Sequence, residues 1–173
     1  MIRRGFEVVK RLENDEDSIR LPERSTGRSA GHDFFAVEDI TIEPVLFNVV
    51  RNWVGKFLNM GFDNYRNITP TLVRTGIKAY MLEDEALMLY NRSSNPKKLG
   101  LILANGVGVV DSDYYNNPDN DGEIGFLFYN LFPFSVTIKA GEKIGQGVFQ
   151  KFLKADNDCV DTARLGGYGS TGR

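Results

Sequence analysis

Two acidic residues at the end of an apolar stretch are the first candidates for chemistry in this 173-residue chain. In "NGVGVVDSDYYNNPDNDGEI", Asn105 to Ile124, an apolar segment leads to Asp111 and Asp113, and Tyr114 follows. A strand would place both carboxylates on one face, with Tyr114 on the opposite face or in the next turn. One carboxylate could hold and deprotonate a water molecule. The alternative is an ordinary solvated or capping turn.

Two internal segments carry polar groups suited to phosphate. "YNRSSNPKK" places Arg92, Ser93 and Ser94 just before an expected strand, where they offer one charged donor and two hydroxyls. "AGEKIGQGVF", Ala140 to Phe149, is a turn leading into a strand that carries Gln146. Each segment alone is a weak signal for a phosphate site. The second is also typical of an ordinary hairpin.

The chain ends in "ARLGGYGSTGR", which is rich in glycine and hydroxyl groups. Glycines let successive backbone N–H groups turn toward an anion, and Arg164, Ser170 and Thr171 add side-chain donors. The segment lacks the lysine and the following helix of a P-loop. The alternative is a disordered terminus.

Composition excludes several classes of function. The formal charge of −2 argues against a broad polyanion-binding surface, so we expect no nucleic-acid partner. One histidine and one cysteine cannot form a common zinc site or an internal disulfide, and no G-x-S-x-G elbow accompanies a serine. No apolar run reaches membrane-spanning length and no secretion signal opens the chain, which predicts a cytoplasmic protein without a membrane partner.

Short segments rich in Val, Ile, Phe and Tyr must position these groups. They are bounded by Gly, Pro, Asn or Asp, without βαβ alternation, which predicts an all-β sandwich or barrel. The exception is residues 43–67, where apolar residues recur at helical spacing and predict a helical insertion: Leu46, Val50, Trp53, Val54, Phe57 and Leu58. That insertion would either pack on the barrel or bind a partner.

Taken in order, and preceded by "SAGHDFFA" from Ser29 to Ala36, these segments resemble the five motifs of the trimeric dUTPase family. The resemblance extends from about "FEVVK" to the last residue, excluding the insertion. Departures include Lys143 where arginine is common, Gly145 for alanine and Tyr168 for phenylalanine. The longer hairpin turn "YNNPDND" and the insertion resemble phage-type members.

The resemblance implies a jelly-roll-like fold assembled as a homotrimer, with residues 1–173 as one domain and 155–173 as a mobile arm. The activity it implies is hydrolysis of dUTP to dUMP and pyrophosphate with Mg²⁺. Asp111 would be the general base that activates water for attack on the α-phosphorus. Asn105 and the main chain of Gly106 to Val110 would pair with uracil, and Tyr114 would pack on the deoxyribose and exclude a 2′-hydroxyl.

By the same resemblance, Arg92, Ser93, Ser94 and Gln146 would hold the α- and β-phosphates, supported by Asp33 and Lys143. The arm would act as a lid: Tyr168 would cover the base, and the other residues would close on the outer phosphates, namely Arg164, Gly169, Ser170 and Thr171. Magnesium would be held mainly by phosphate oxygens and water, without protein ligands.

Two other functions stay open. A dCTP deaminase-like enzyme of the same fold would need a water-activating glutamate and would release ammonia. A regulatory protein could instead keep the nucleotide site as a sensor and use the insertion to bind a protein partner such as a repressor.

Overall fold

The computed structural model of the protein describes residues 3–46, 49–50, 54, 57 and 69–160. Most of its regular structure is strand, which confirms a mainly β protein. The strands are β1 Gly5–Val8, β2 Glu23–Arg24, β3 His32–Phe35, β4 Ile40–Ile42, β5 Thr71–Arg74, β6 Ile77–Tyr80, β7 Glu85–Asn91, β8 Leu101–Leu103, β9 Gly108–Asp111, β10 Gly125–Asn130, β11 Val136–Ile138 and β12 Lys143–Lys151. Helix α1 spans Ser94–Leu99, and 3-10 helices span Lys10–Ser18 and Ser112–Tyr114.

The largest sheet has the strand order β2-β3-β12-β7-β9. Its central strand, β12, pairs antiparallel with β3 on one side and β7 on the other. This register sets Gln146 opposite both Asp33 and Tyr90. Because β12 joins the two motif-bearing strands, distant segments of the chain meet across it.

The remaining described strands form three smaller sheets, β5-β10-β8, β1-β6 and β11-β4. Aromatic rings from different sheets fill the core, and Phe34, Phe126 and Phe128 are fully buried. Gly145 is needed for this packing, because a Cβ atom there would lie 2.0 Å from Cε1 of Phe126. The ring therefore accounts for glycine at a position where relatives of the resembled family commonly have alanine.

Two local expectations are wrong. Asp111 and Asp113 do not share a strand face, because β9 ends at Asp111 and a 3-10 helix carries Asp113 and Tyr114. Ser93 and Ser94 do not lead directly into a strand either, since α1 intervenes before β8. In both places a short helix follows where the apolar pattern indicates a strand.

Most of the predicted insertion, residues 43–67, lies outside the described residues. Its described positions 45–46, 49–50, 54 and 57 have helical backbone, but they do not establish the helical insertion, which stays a prediction. The arm at 155–173 is described only to residue 160. Among the described residues, no helix is long and apolar enough to cross a membrane.

Candidate functional site

A recess lies between the start of β10 and the strand β9, with a cavity volume of about 80 Å³. Three predicted substrate residues line it, namely Asn105, Val110 and Tyr114. The other lining residues are Leu89, Gly108, Val109, Ile124, Gly125 and Leu127. Gly106 lies in the exposed turn between β8 and β9, next to Asn105, with a φ of 69°. The sequence therefore identified one side of this recess but missed the β7 and β10 side.

Strand β9 forms one edge of the five-stranded sheet among the described strands. An edge strand has backbone N–H and C=O groups that point away from the sheet. Those groups lie beside the recess, because Gly108, Val109 and Val110 line it. A planar base with donors and acceptors on its edge can pair with such a strand as another strand would.

Tyr114 forms a buried wall of the recess, with 4% of its surface exposed. Its hydroxyl accepts a hydrogen bond of 2.6 Å from Nδ2 of Asn120 and donates one of 3.4 Å to the carbonyl of Glu123. These contacts fix the position of the ring hydroxyl. A flat face placed in this way can pack against a sugar.

Asp111 ends β9 at an exposed position, opposite Ala86 of β7. A carboxylate at a strand end next to a recess can accept a proton from water that sits near a bound ligand. Asp113 lies two residues further on, in the 3-10 helix, where it is also exposed.

A second polar cluster lies on β3 and β12. Lys143 Nζ and Ser25 Oγ each donate a hydrogen bond of 2.6 Å to Oδ2 of Asp33. Burial raises the pKa of the Asp33 carboxyl, but hydrogen bonds from Lys143 and Ser25 outweigh burial and hold that pKa below its usual range. Nothing in the sequence pointed to Ser25, because it reaches Asp33 only through the pairing of β2 with β3.

Arg92 contacts this cluster through the backbone of Lys143. Its Nη1 donates a 2.8 Å hydrogen bond to the carbonyl of Lys143, and its charge contributes to the low pKa of Asp33. Gln146 lies opposite Asp33 in the register, so the structure brings together Arg92, Lys143, Asp33 and Gln146. This set carries two cations, one of them paired with the Asp33 carboxylate, and a side-chain amide, so its net positive charge suits an anionic ligand.

Gly31 leaves the space that the Gln146 side chain occupies. A Cβ atom at residue 31 would lie 2.2 Å from Oε1 of Gln146. The glycine before Asp33 in "SAGHDFFA" therefore fixes where this amide can point. We infer that the segments "SAGHDFFA" and "AGEKIGQGVF" act as one unit.

Ser93 is exposed and Ser94 is half-buried at the start of α1. The residue after them was missed by the sequence analysis: Asn95 is buried, and its Nδ2 donates 2.8 Å hydrogen bonds to Oδ1 of Asn91 and to the carbonyl of Ile144. Asn95 thereby ties the Arg92 segment to β12. Its position directly before Pro96 was the available signal, since Asn-Pro marks a turn.

The arm residues predicted to close over the substrate lie outside the described residues. They are Arg164, Tyr168, Gly169, Ser170 and Thr171. Their roles stay predictions.

The two clusters lie far apart within one chain. Asp111 pairs with Ala86 at one end of β7, whereas Arg92 follows the last residue of that strand at the other end. Six residues of extended chain span about 20 Å. This separation argues against one copy of the chain bringing both Asp111 and Arg92 to the same phosphate.

The described residues contain no group of three or more His, Cys, Asp or Glu side chains that could hold a metal ion.

Replacing Lys143 with methionine should lower the free energy of unfolding by about 1–3 kcal/mol, because Asp33 loses a charged donor while mostly buried. A low folded-state pKa stabilises the fold above the unfolded value of 3.8 and ceases to do so as pH falls through the folded value. The loss should therefore persist from pH 5 to 8 and shrink below about pH 4. Urea unfolding at several pH values measures this.

Lys139→Met is the matched control, since Lys139 pairs with Asp39 at a fully exposed position. We expect it to change stability little at any pH. Equal losses of stability in the two variants would contradict a special role for the partly buried Lys143–Asp33 pair.

Comparisons with known proteins identify the family of the chain. The dUTPase family model matches residues 65–172. The deoxyuridine 5′-triphosphate nucleotidohydrolase of Lactococcus lactis subsp. lactis is 43% identical over 98% of this chain and 97% of its own length.

Solved structures show the same fold. The dUTPase from Streptococcus mutans superposes with a TM-score of 0.67 at 37% identity, covering 88% of this chain and 98% of that one. The dUTPase from phage phi11 of S. aureus, whose species-specific insert was visualised, gives a TM-score of 0.62 at 16% identity over 93% of this chain and 97% of that one. The second likeness concerns the fold alone, and phage-type membership is not confirmed.

Proposed function

This chain belongs to the dUTPase family, and from that premise we propose how its residues act on the substrate. The activity is hydrolysis of dUTP to dUMP and pyrophosphate. The observation that carries the residue-level proposal is the recess lined by Asn105, Val110 and Tyr114, residues that flank Asp111 in the chain.

In this proposal uracil enters the recess and pairs with the outward main chain of β9. Asn105 and Gly106 in the turn before β9 complete the contact, and pairing of uracil with the main chain of residues 106–110 is proposed to exclude a thymine methyl. The deoxyribose packs on Tyr114, where a 2′-hydroxyl would meet the ring. Recognition of base and sugar thus rests on main chain and one aromatic wall.

Asp111 is proposed to act as the general base. Its carboxylate accepts a proton from a water molecule as the water oxygen bonds to the α-phosphorus, and the bond to the bridging oxygen breaks to release pyrophosphate. Arg92, Ser93, Ser94 and Gln146 hold the phosphates, while Lys143 and Asp33 keep the strands that carry them in place. A positioned general base contributes about 10²–10⁴-fold.

The separation of about 20 Å between Asp111 and Arg92 supports a site shared between copies of the chain. We place Asp111 and the recess of one subunit against the Arg92 cluster of its neighbour, in a homotrimer of jelly-roll-like subunits. The arm at 155–173 then closes over the site with Tyr168, Gly169, Ser170, Thr171 and Arg164. A closed lid excludes bulk water from the reacting phosphate.

Magnesium fits this site as a companion of the substrate. The described residues offer no cluster of acidic or histidine ligands, whereas a triphosphate supplies several oxygens and Mg²⁺ retains water readily. When bound it would neutralise phosphate charge. A structural Mg(II) ion is described in the D95N dUTPase of phage phi11, a protein that shares only the fold with this chain.

Product analysis in ¹⁸O-labelled water tests the reaction. Attack at the α-phosphorus places the label in dUMP, whereas attack at the β-phosphorus would place it in pyrophosphate and contradict the proposal. The same assay with dUTP, dCTP, dTTP and UTP should show a strong preference for dUTP. Ammonia release from dCTP would favour a deaminase instead.

The described residues of the predicted insertion favour a second role in binding a protein partner in the cytoplasm. Five of their apolar side chains are 40–80% exposed: Leu46, Val49, Val50, Val54 and Phe57. Phage 80alpha dUTPases, similar to this chain in fold alone, are described as controlling transfer of virulence genes. We propose a regulatory, repressor-type partner for this surface. Loss of partner binding with intact hydrolysis after replacing residues 46–67 by a short loop would support that role, and loss of both would contradict it.

A further inference from the structure

The turn at residues 115–121, between the 3-10 helix and β10, contacts the wall of the substrate recess. Nδ2 of Asn120 lies 2.6 Å from the hydroxyl of Tyr114 and donates to it. Oδ1 of the same side chain accepts a 3.1 Å hydrogen bond from the backbone N–H of Gly122. Since the backbone supplies only a donor at that position, the amide orientation is fixed, and its N–H group must face Tyr114.

The turn itself is held by a buried lysine. Lys78 of β6 has a side chain that is 5% exposed, and three oxygen atoms of the turn surround its ammonium group. These are Oδ1 of Asn116 at 2.7 Å and the two carboxylate oxygens of Asp121 at 3.2 and 3.1 Å. Asp121 also accepts a 2.8 Å hydrogen bond from the backbone N–H of Lys10. Both ends of the turn therefore contact β6, and Asp121 at its second end also contacts the N-terminal segment.

Asn116 and Asp121 both have positive φ values, 57° and 58°. Asn and Asp adopt this conformation more readily than other side chains. The backbone dihedral angles, the Lys78 contacts and the orientation of the Asn120 amide thus all stabilise one conformation of the turn. That conformation fixes where the Asn120 amide sits relative to the recess.

We propose that the turn at 115–121 sets the preference for deoxyribose, and that Asn120 is the positioning residue that holds the Tyr114 ring against the sugar. This inference rests on the proposed role of Tyr114. Losing the Asn120 hydrogen bond loosens the ring, which can then shift away from the sugar and leave space for a 2′-hydroxyl. Asn120 then acts through Tyr114 and touches no reacting atom.

The test measures kcat/KM for dUTP divided by kcat/KM for UTP. We expect Asn120→Ala and Tyr114→Phe each to lower this ratio about 3- to 10-fold, the size expected when one neutral hydrogen bond is lost. The double variant should lower the ratio by clearly less than the product of the two single effects, because both changes remove the Asn120–Tyr114 bond. Since both substrates are measured on one preparation, any inactive or unfolded fraction cancels from the ratio.

Asp119→Ala is the matched control, an exposed residue of the same turn that should leave the ratio unchanged. Tyr114→Ala should lower the ratio further than Tyr114→Phe, because the whole ring is removed. An unchanged ratio in Tyr114→Ala would overturn the sugar role of Tyr114 together with this inference. A lowered ratio in Tyr114→Ala with no change in Asn120→Ala, or additive effects in the double variant, would overturn the inference alone.

Discussion

Replacing Asp111 with asparagine should lower dUTP turnover about 10²- to 10⁴-fold while leaving dUTP binding nearly unchanged. The amide has the size of the carboxylate but cannot accept a proton from water. Position 111 is exposed at the end of β9, so the change should not disturb the core. Steady-state hydrolysis and calorimetric binding of dUTP to the variant measure the two effects separately.

Asp113→Asn is the natural control, because Asp113 is also exposed and lies only two residues away in the 3-10 helix. It should retain most of the turnover. If Asp111→Asn kept more than half of the wild-type rate, or if the two variants lost turnover equally, the general base would lie elsewhere.

Two impaired variants of the chain should restore activity when they assemble together. One carries Asp111→Asn; the other carries Arg92→Ala, which removes a charged donor and should lower kcat/KM about 10- to 100-fold. If a site takes Asp111 from one subunit and Arg92 from the next, random assembly of equal parts into the proposed homotrimer leaves about a quarter of the sites intact. Co-expressed, doubly tagged assemblies should recover activity toward that fraction.

The controls separate a shared site from a site within one chain. Co-expression of wild type with the Asp111→Asn, Arg92→Ala double variant leaves about a quarter of shared sites intact, but about half of sites confined to one chain. Variants that are purified separately and mixed briefly should remain inactive. No recovery in verified mixed assemblies of the two single variants would overturn the shared site.

Strand positions were largely predictable because short apolar, β-branched runs bounded by Gly, Pro or Asn are a local signal. The segments "FEVVK", "ALMLY" and "VGVVD" correspond to β1, β7 and β9. What local pattern could not provide was the exact end of each strand. Whether a chain turns at Asp111 or two residues later depends on the packing of Tyr114 into the recess, and packing is a tertiary effect.

The candidate site was predictable as a set of residues but not as a set of contacts. Ser25 reaches Asp33 only because β2 pairs with β3, and Asn95 matters only because α1 sets it against β12. The anchoring of the turn by Lys78 depends on a pairing between segments nearly 40 residues apart. Such contacts come from the register of strands, which no motif encodes.

The sheet edge at β9, which no described strand covers, can promote self-association in solution. A strand with outward N–H and C=O groups can pair with a strand of another molecule, and Val107 and Val109 expose apolar surface there. Two features limit such self-association: β9 has only four residues, and it ends in the charged Asp111. The carboxylate proposed for catalysis would thus also reduce aggregation of the protein when no substrate is bound in the recess.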